Sequence, residues 1–129
     1  MISTLQAFLI QAAKEQTELE IDVSKRIGQK FKIKAIDLDE WERIQKLSTE
    51  PDGAQRVNSM AILKRTAIAG CIEPDFRSAE FIKELGCNTP DEALRKCLKA
   101  GEIVTLGNKI LKFSGFGESV EEARKQAQD

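Results

Sequence analysis

A chain of 129 residues lies within the size range of one domain, and 41% hydrophobic with 32% charged residues is the balance of a folded soluble protein, not a disordered chain. Lysine and arginine number 20 against 21 aspartates and glutamates, so the net charge of -1 gives no global field toward nucleic acid or anionic lipid. The longest apolar runs, such as Met60 to Leu63, fall far short of the roughly 20 residues that span a bilayer, so neither nucleic acid nor membrane is expected as a partner.

Taken in chain order, Ile2, Leu5, Phe8, Leu9, Ala12 and Ala13 recur at helical spacing behind Ser3 or Thr4 as a cap, which predicts an amphipathic helix over 3–16. No basic region precedes this stretch, and Lys14 and Glu15 follow it, so it does not read as a secretion signal and a cytoplasmic location is expected. From Leu19 the period changes to two. Leu19, Ile21 and Val23 alternate with acids, and Phe31, Ile33 and Ala35 alternate with lysines after a turn over 26–30, which predicts one β-hairpin with one apolar face.

Asp37 to Glu40 gathers carboxylates at a helix start, followed by Leu38, Trp41, Ile44 and Leu47 as the buried stripe of a helix ending near Ser48. Residues 49–54, with Pro51 and Gly53, read as a loop. The segment from Ala54 to Cys71 is apolar almost all round, as a central buried helix would be, and Ile72 to Phe76 reads as a linker. A short helix follows from Ala79 to Leu85, capped by Ser78 and stopped by Gly86. Thr89-Pro90-Asp91-Glu92 joins a capping box to proline at the first helical position and opens the next helix. Beyond Gly101, the residues Ile103, Leu106, Ile110 and Phe113 predict a last core helix, against which Gly107 weighs about 1 kcal/mol. Ser119 to Glu122 starts a polar tail. The expected fold is α+β, a mainly helical single domain over 1–118 with one N-terminal β-hairpin, and a polar tail over 119–129 that forms at most a frayed helix.

Catalytic chemistry is not expected. The chain has no histidine and no tyrosine, hence neither the usual near-neutral general base nor the commonest metal ligand. Cys71, Cys87 and Cys97 are spaced for neither a zinc site nor a redox pair, and read as reduced thiols packed as small hydrophobes. Gly115-Phe116-Gly117 lacks the rest of a phosphate loop and reads as a turn, and Asp37, Asp39 and Glu40 read as helix N-terminal charges. No enzyme activity, cofactor or metal is expected. Lys25, Arg26, Lys30, Lys32 and Lys34 make the hairpin locally basic, which a solvated strand face explains. Trp41 reads first as core and second as an interface anchor. Phe8, Leu9 and Ile10 stand in succession, and one stripe cannot hide all three. The candidate partner-binding residues are therefore Leu5, Phe8, Leu9, Ile10 and Trp41.

Four segments in succession carry a resemblance. Leu5-Gln-Ala-Phe-Leu9, then Val23-Ser-Lys-Arg26 with Phe31-Lys-Ile-Lys-Ala-Ile36, then Asp39-Glu-Trp-Glu-Arg-Ile44, and finally Pro74-Asp-Phe76 through Asn88-Thr-Pro-Asp-Glu92 to Gly101-Glu102 together resemble the XkdN-like tail assembly chaperones of long-tailed phages and prophages. The short turn at Ile27-Gly-Gln29 departs from the family's longer connection. The resemblance implies a host-cytoplasmic factor that binds the tape measure protein, keeps it soluble, promotes tail tube assembly around it, and is absent from the mature virion. Coating a long rod-like client favours many copies side by side, so weak self-association through the surplus apolar residues of helix 3–16, with Phe8 and Leu9 as anchors, is expected. The alternative in the same context is a structural tail or baseplate component retained in the particle.

Overall fold

The computed structural model describes residues 3–14, 17–49 and 58–116. Along the chain run α1 (Thr4–Lys14), β1 (Glu18–Ile21), β2 (Phe31–Lys34), α2 (Leu38–Leu47), α3 (Ser59–Gly70), β3 (Cys71–Glu73), α4 (Ala79–Glu84), α5 (Pro90–Cys97) and α6 (Ala100–Phe113). Among the described residues the fold is thus mainly helical with one small antiparallel sheet in the order β1-β2-β3. The capping box at Ser119 to Glu122, the polar tail and most of the loop over 49–54 lie outside the described residues.

The hairpin forms where the period-two pattern demands it. Leu19 faces Ile33 and Ile21 faces Phe31 across the two strands, which sets the apolar residues on one side and Glu18, Glu20, Lys32 and Lys34 on the other. Phe31 and Ile33 are buried, while Val23 is buried beyond the end of β1 and Ala35 is exposed. The sheet has a third member that the periodicity did not announce. Cys71 to Glu73, expected as the last helical residue and the start of a linker, pairs with β2, with Cys71 opposite Ile33 and Glu73 opposite Lys32. Three residues are too few to display a period of two.

Local caps decide most of the helix starts. The Glu40 backbone N–H donates to Asp37 Oδ1 at 2.8 Å, and the Glu92 N–H to Thr89 Oγ1 at 3.1 Å ahead of Pro90. Ser78 caps α4 in the same way, and Gly86, at φ +75°, supplies the left-handed residue just after it. The central helix begins later than the apolar run from Ala54 suggests, because Asn58 is extended and its side chain accepts the Ala61 N–H at 3.0 Å. On α2 the expected stripe is corrected. Trp41 and Ile44 are buried with Ser48, but Leu38 is 69% exposed and Leu47 49%. At about 100° per residue, each step of three falls roughly 60° short of a full turn, so three such steps leave Leu38 and Leu47 on opposite flanks of the helix.

The core sits between the sheet and the crossing of α3 with α6, the main helix pair of the domain. That crossing is close because each helix offers a glycine. A Cβ on Gly107 would stand 2.8 Å from Leu63 Cδ2 and 3.0 Å from the Leu63 carbonyl oxygen, and one on Gly70 would stand 2.5 Å from Ile110 Cγ2. The helix-propensity penalty at Gly107 is offset by this approach, which brings the buried Ile62, Leu63 and Ala67 against Ile103, Leu106 and Ile110.

Candidate functional site

The N-terminal helix is built by strong local signals and has no core of its own. Ser3 and Gln6 form a reciprocal capping box, the Gln6 N–H donating to Ser3 Oγ at 3.1 Å and the Ser3 N–H to Gln6 Oε1 at 2.9 Å. Lys14 closes the last turn, where a cation suits the helix dipole. None of the eleven residues of α1 is buried. Leu5 is 68% exposed, Phe8 67%, Leu9 62% and Ile10 45%. Leu5, Phe8 and Leu9 share one stripe with Ala12 at i, i+3, i+4 and i+7, and Ile10 lies beyond its edge. The helix thus presents an apolar stripe that the rest of the described chain does not cover.

Trp41 does not join that surface. It is 4% exposed and packs on Phe116, with ring centroids 4.7 Å apart at 43°. Its place is the core, because position 41 falls at the centre of the inward face of α2. In its stead the structure exposes Leu38, Leu47 and Met60, which the stripe on α2 and the apolar run of α3 had hidden from sequence reasoning. Leu47 borders a groove of about 250 Å³ lined by the apolar Ile44, Ile68 and Pro90 and by charges of both signs, Arg43, Arg65 and Arg77 with Glu40 and Asp91.

The basic hairpin is largely paired within the domain. Lys30 lies 3.6 Å from Asp22 and Lys32 3.8 Å from Glu73. Arg26 donates to both Glu102 oxygens, through Nε at 3.0 Å and through Nη2, and also to the Cys97 carbonyl oxygen at 3.1 Å. Glu102 accepts the Lys99 N–H at 2.8 Å as well, so one carboxylate ties the hairpin loop to the start of α6. The Arg26 guanidinium, the Lys99 N–H and the Ser24 hydroxyl hold this carboxyl down to about 2, from an ordinary 4.5. A depressed acid contributes stability above its unfolded pKa and loses it as pH falls through the folded one. The melting temperature is therefore expected to fall between about pH 4.5 and about 2 partly through Glu102. Glu102→Gln should melt lower than wild type at neutral pH and show a flatter acid limb, measured by circular dichroism across that range. Equal acid limbs for both proteins would remove Glu102 from the linkage.

Burial pushes the Cys71 thiol up to about 12 and raises that of Cys97, which keeps both protonated at neutral pH. Among the described residues no three aspartate, glutamate or cysteine side chains converge as a metal site, and no helix is long and apolar enough to cross a membrane. Asp37 acts as a helix cap, and Glu40 binds Arg77 and Arg43.

The family model described as phage XkdN-like tail assembly chaperone protein matches residues 5–128. The chain is 27% identical, over an alignment of 128 residues covering 89% of this chain and 86% of the relative, to the phage-like element PBSX protein XkdN of Bacillus subtilis strain 168. It superposes with a TM-score of 0.63 and 25% identity on the crystal structure of the protein yqbn, over 78% of this chain and 86% of that one. The chain belongs to the family of XkdN-like phage tail assembly chaperones.

Proposed function

We propose that this chain binds the tape measure protein of a phage or prophage tail through the apolar stripe of α1, keeps it soluble in the host cytoplasm and promotes tail tube assembly around it, leaving before the virion is complete. The observation that carries the reading is the exposure of Leu5, Phe8 and Leu9, each by more than three-fifths, on a helix with no buried residue. An isolated helix shorter than about 12–15 residues is marginal in water, so α1 gains its stability from what it docks on. Full burial of each large side chain is worth roughly 1.5–3 kcal/mol, enough for several together to hold an amphipathic helical client. The same stripe supports weak self-association, in which copies lined up on one client add avidity without a large interface per copy.

The test is co-expression of the tape measure protein with this chain and with its Phe8→Asp/Leu9→Asp variant. Both positions are exposed, so the variant should melt within a few degrees of wild type yet leave the client in the pellet. Light scattering should show concentration-dependent mass for wild type and a monomer for the variant. A client equally insoluble with and without the wild-type chain ends the chaperone reading. Abundant peptides of this chain in purified virions would instead favour a structural tail or baseplate component.

A further inference from the structure

The sheet ends in an open edge at β1. Its inner side pairs with β2, and no strand lies on its outer side among the described residues. Beside Leu19 and Ile21 a trough of about 540 Å³ runs along the strand, lined also by Glu20 and Asp22 and walled by Lys109, Lys112 and Phe113 of α6. Lys109 is held there by the Asp22 carbonyl oxygen, which its Nζ meets at 2.6 Å. On the opposite face a second trough of about 540 Å³ is lined by Glu18, Glu20, Lys30 and Lys32. The charges in this second trough are unequal in one respect. Lys30 and Lys32 are paired with Asp22 and Glu73, whereas neither Glu18 nor Glu20 has an ion-pair partner among the described residues.

The inner partner displays the kind of strand this edge accepts. Phe31-Lys32-Ile33-Lys34 sets Lys34 opposite Glu18 and Lys32 opposite Glu20, with Ile33 opposite Leu19 and Phe31 opposite Ile21. We propose that the outer edge of β1 takes up an extended segment of a partner protein in which apolar residues alternate with lysine or arginine, adding a fourth strand to the sheet. Main-chain hydrogen bonds hold the segment, its apolar residues enter the trough against Phe113, and its cations meet Glu18 and Glu20 on the other face. A second copy of β1 is the wrong occupant. Any register that keeps Leu19 and Ile21 on the apolar face brings an acid from Glu18, Glu20 or Asp22 beside its counterpart, and like charges directly opposite destabilise a strand pair. The carboxylates therefore block pairing of like with like while selecting a basic strand. This edge is separate from the stripe on α1, and the proposal does not rest on the tape measure reading.

The experiment is a nuclear magnetic resonance titration of the full chain with a short capped peptide alternating valine and lysine. Amide shifts are expected along β1 and the C-terminal turns of α6, weakening as salt is added. Glu18→Lys/Glu20→Lys changes exposed side chains but sets lysines opposite Lys34 and Lys32, so it should melt somewhat lower than wild type while its spectrum remains that of a folded domain. Its affinity for the lysine peptide should fall roughly tenfold, and it should instead take up a peptide alternating valine and glutamate. A peptide of the same charge with proline in place of the valines loses half of its backbone N–H donors and its valine side chains, and should bind far more weakly. The proposal is overturned if the proline peptide binds as well, if the double lysine variant keeps full affinity, if the shifts centre away from β1, or if nothing binds at low salt.

Discussion

Gly107→Val is expected to destabilise the domain by about 3 kcal/mol or more, lowering the melting temperature by on the order of 10 °C. The reason is where the new atoms must go. Even the Cβ would lie 2.8 Å from Leu63 Cδ2, 3.0 Å from the Leu63 carbonyl oxygen and 3.2 Å from its Cα. A side-chain methyl can swing aside, but the backbone of α3 cannot move without separating the buried faces of both helices. Alanine gives a sharper test of sign. On propensity alone Gly→Ala in a helix stabilises by up to about 1 kcal/mol, and Gly101→Ala should follow that rule because nothing lies within 4 Å of its Cβ. Gly107→Ala should do the opposite. Urea denaturation of the three variants decides the matter, and a Gly107→Val protein as stable as wild type would mean that α3 and α6 do not approach this closely.

Phe76→Ala should cost about 3–5 kcal/mol, the range for emptying a fully buried aromatic site. Phe76 is 0% exposed although it lies between β3 and α4 in an irregular stretch, and it meets the Phe81 ring edge-on with centroids 5.9 Å apart. It fills the core where the chain leaves the sheet, so its loss opens a cavity that several elements share. Phe76→Leu should recover a large part of the loss, while Leu38→Ala, at a comparably large apolar residue on an exposed flank, should stay within about 0.5 kcal/mol of wild type. Calorimetric melting of the three proteins orders them. A Phe76→Ala domain that melts with Leu38→Ala would place Phe76 outside the core.

How far the sequence could be read depended on the range of the interactions that build each element. Thr89-Pro90-Asp91-Glu92, Ser78 with Gly86, and Asp37 with Glu40 act within one turn of chain, so α5, α4 and α2 were legible without any fold. The alternation from Leu19 and again from Phe31 likewise announced β1 and β2. The apolar surplus at Phe8, Leu9 and Ile10 marked α1 as a helix with more stripe than one core needs. The sequence could not say that α1 buries none of its residues in its own domain, since that depends on where the other helices lie.

The remaining decisions are long-range. Cys71 to Glu73 became a strand because β2 lay beside it, not through any pattern in three residues. Leu38 and Leu47 were separated from Trp41 and Ile44 by the direction from which the core approaches α2, a direction that i+3 spacing leaves open across half the helix. Gly107 reads locally as a weakness in α6, and only the contact with Leu63 turns it into the requirement for the central helix crossing. Arg26 and Glu102 stand 76 residues apart and carry no sequence signal of their pairing. Their partnership arises because the hairpin loop and the first turn of α6 are packed together, and the carboxylate then makes hydrogen bonds that neither segment could supply alone.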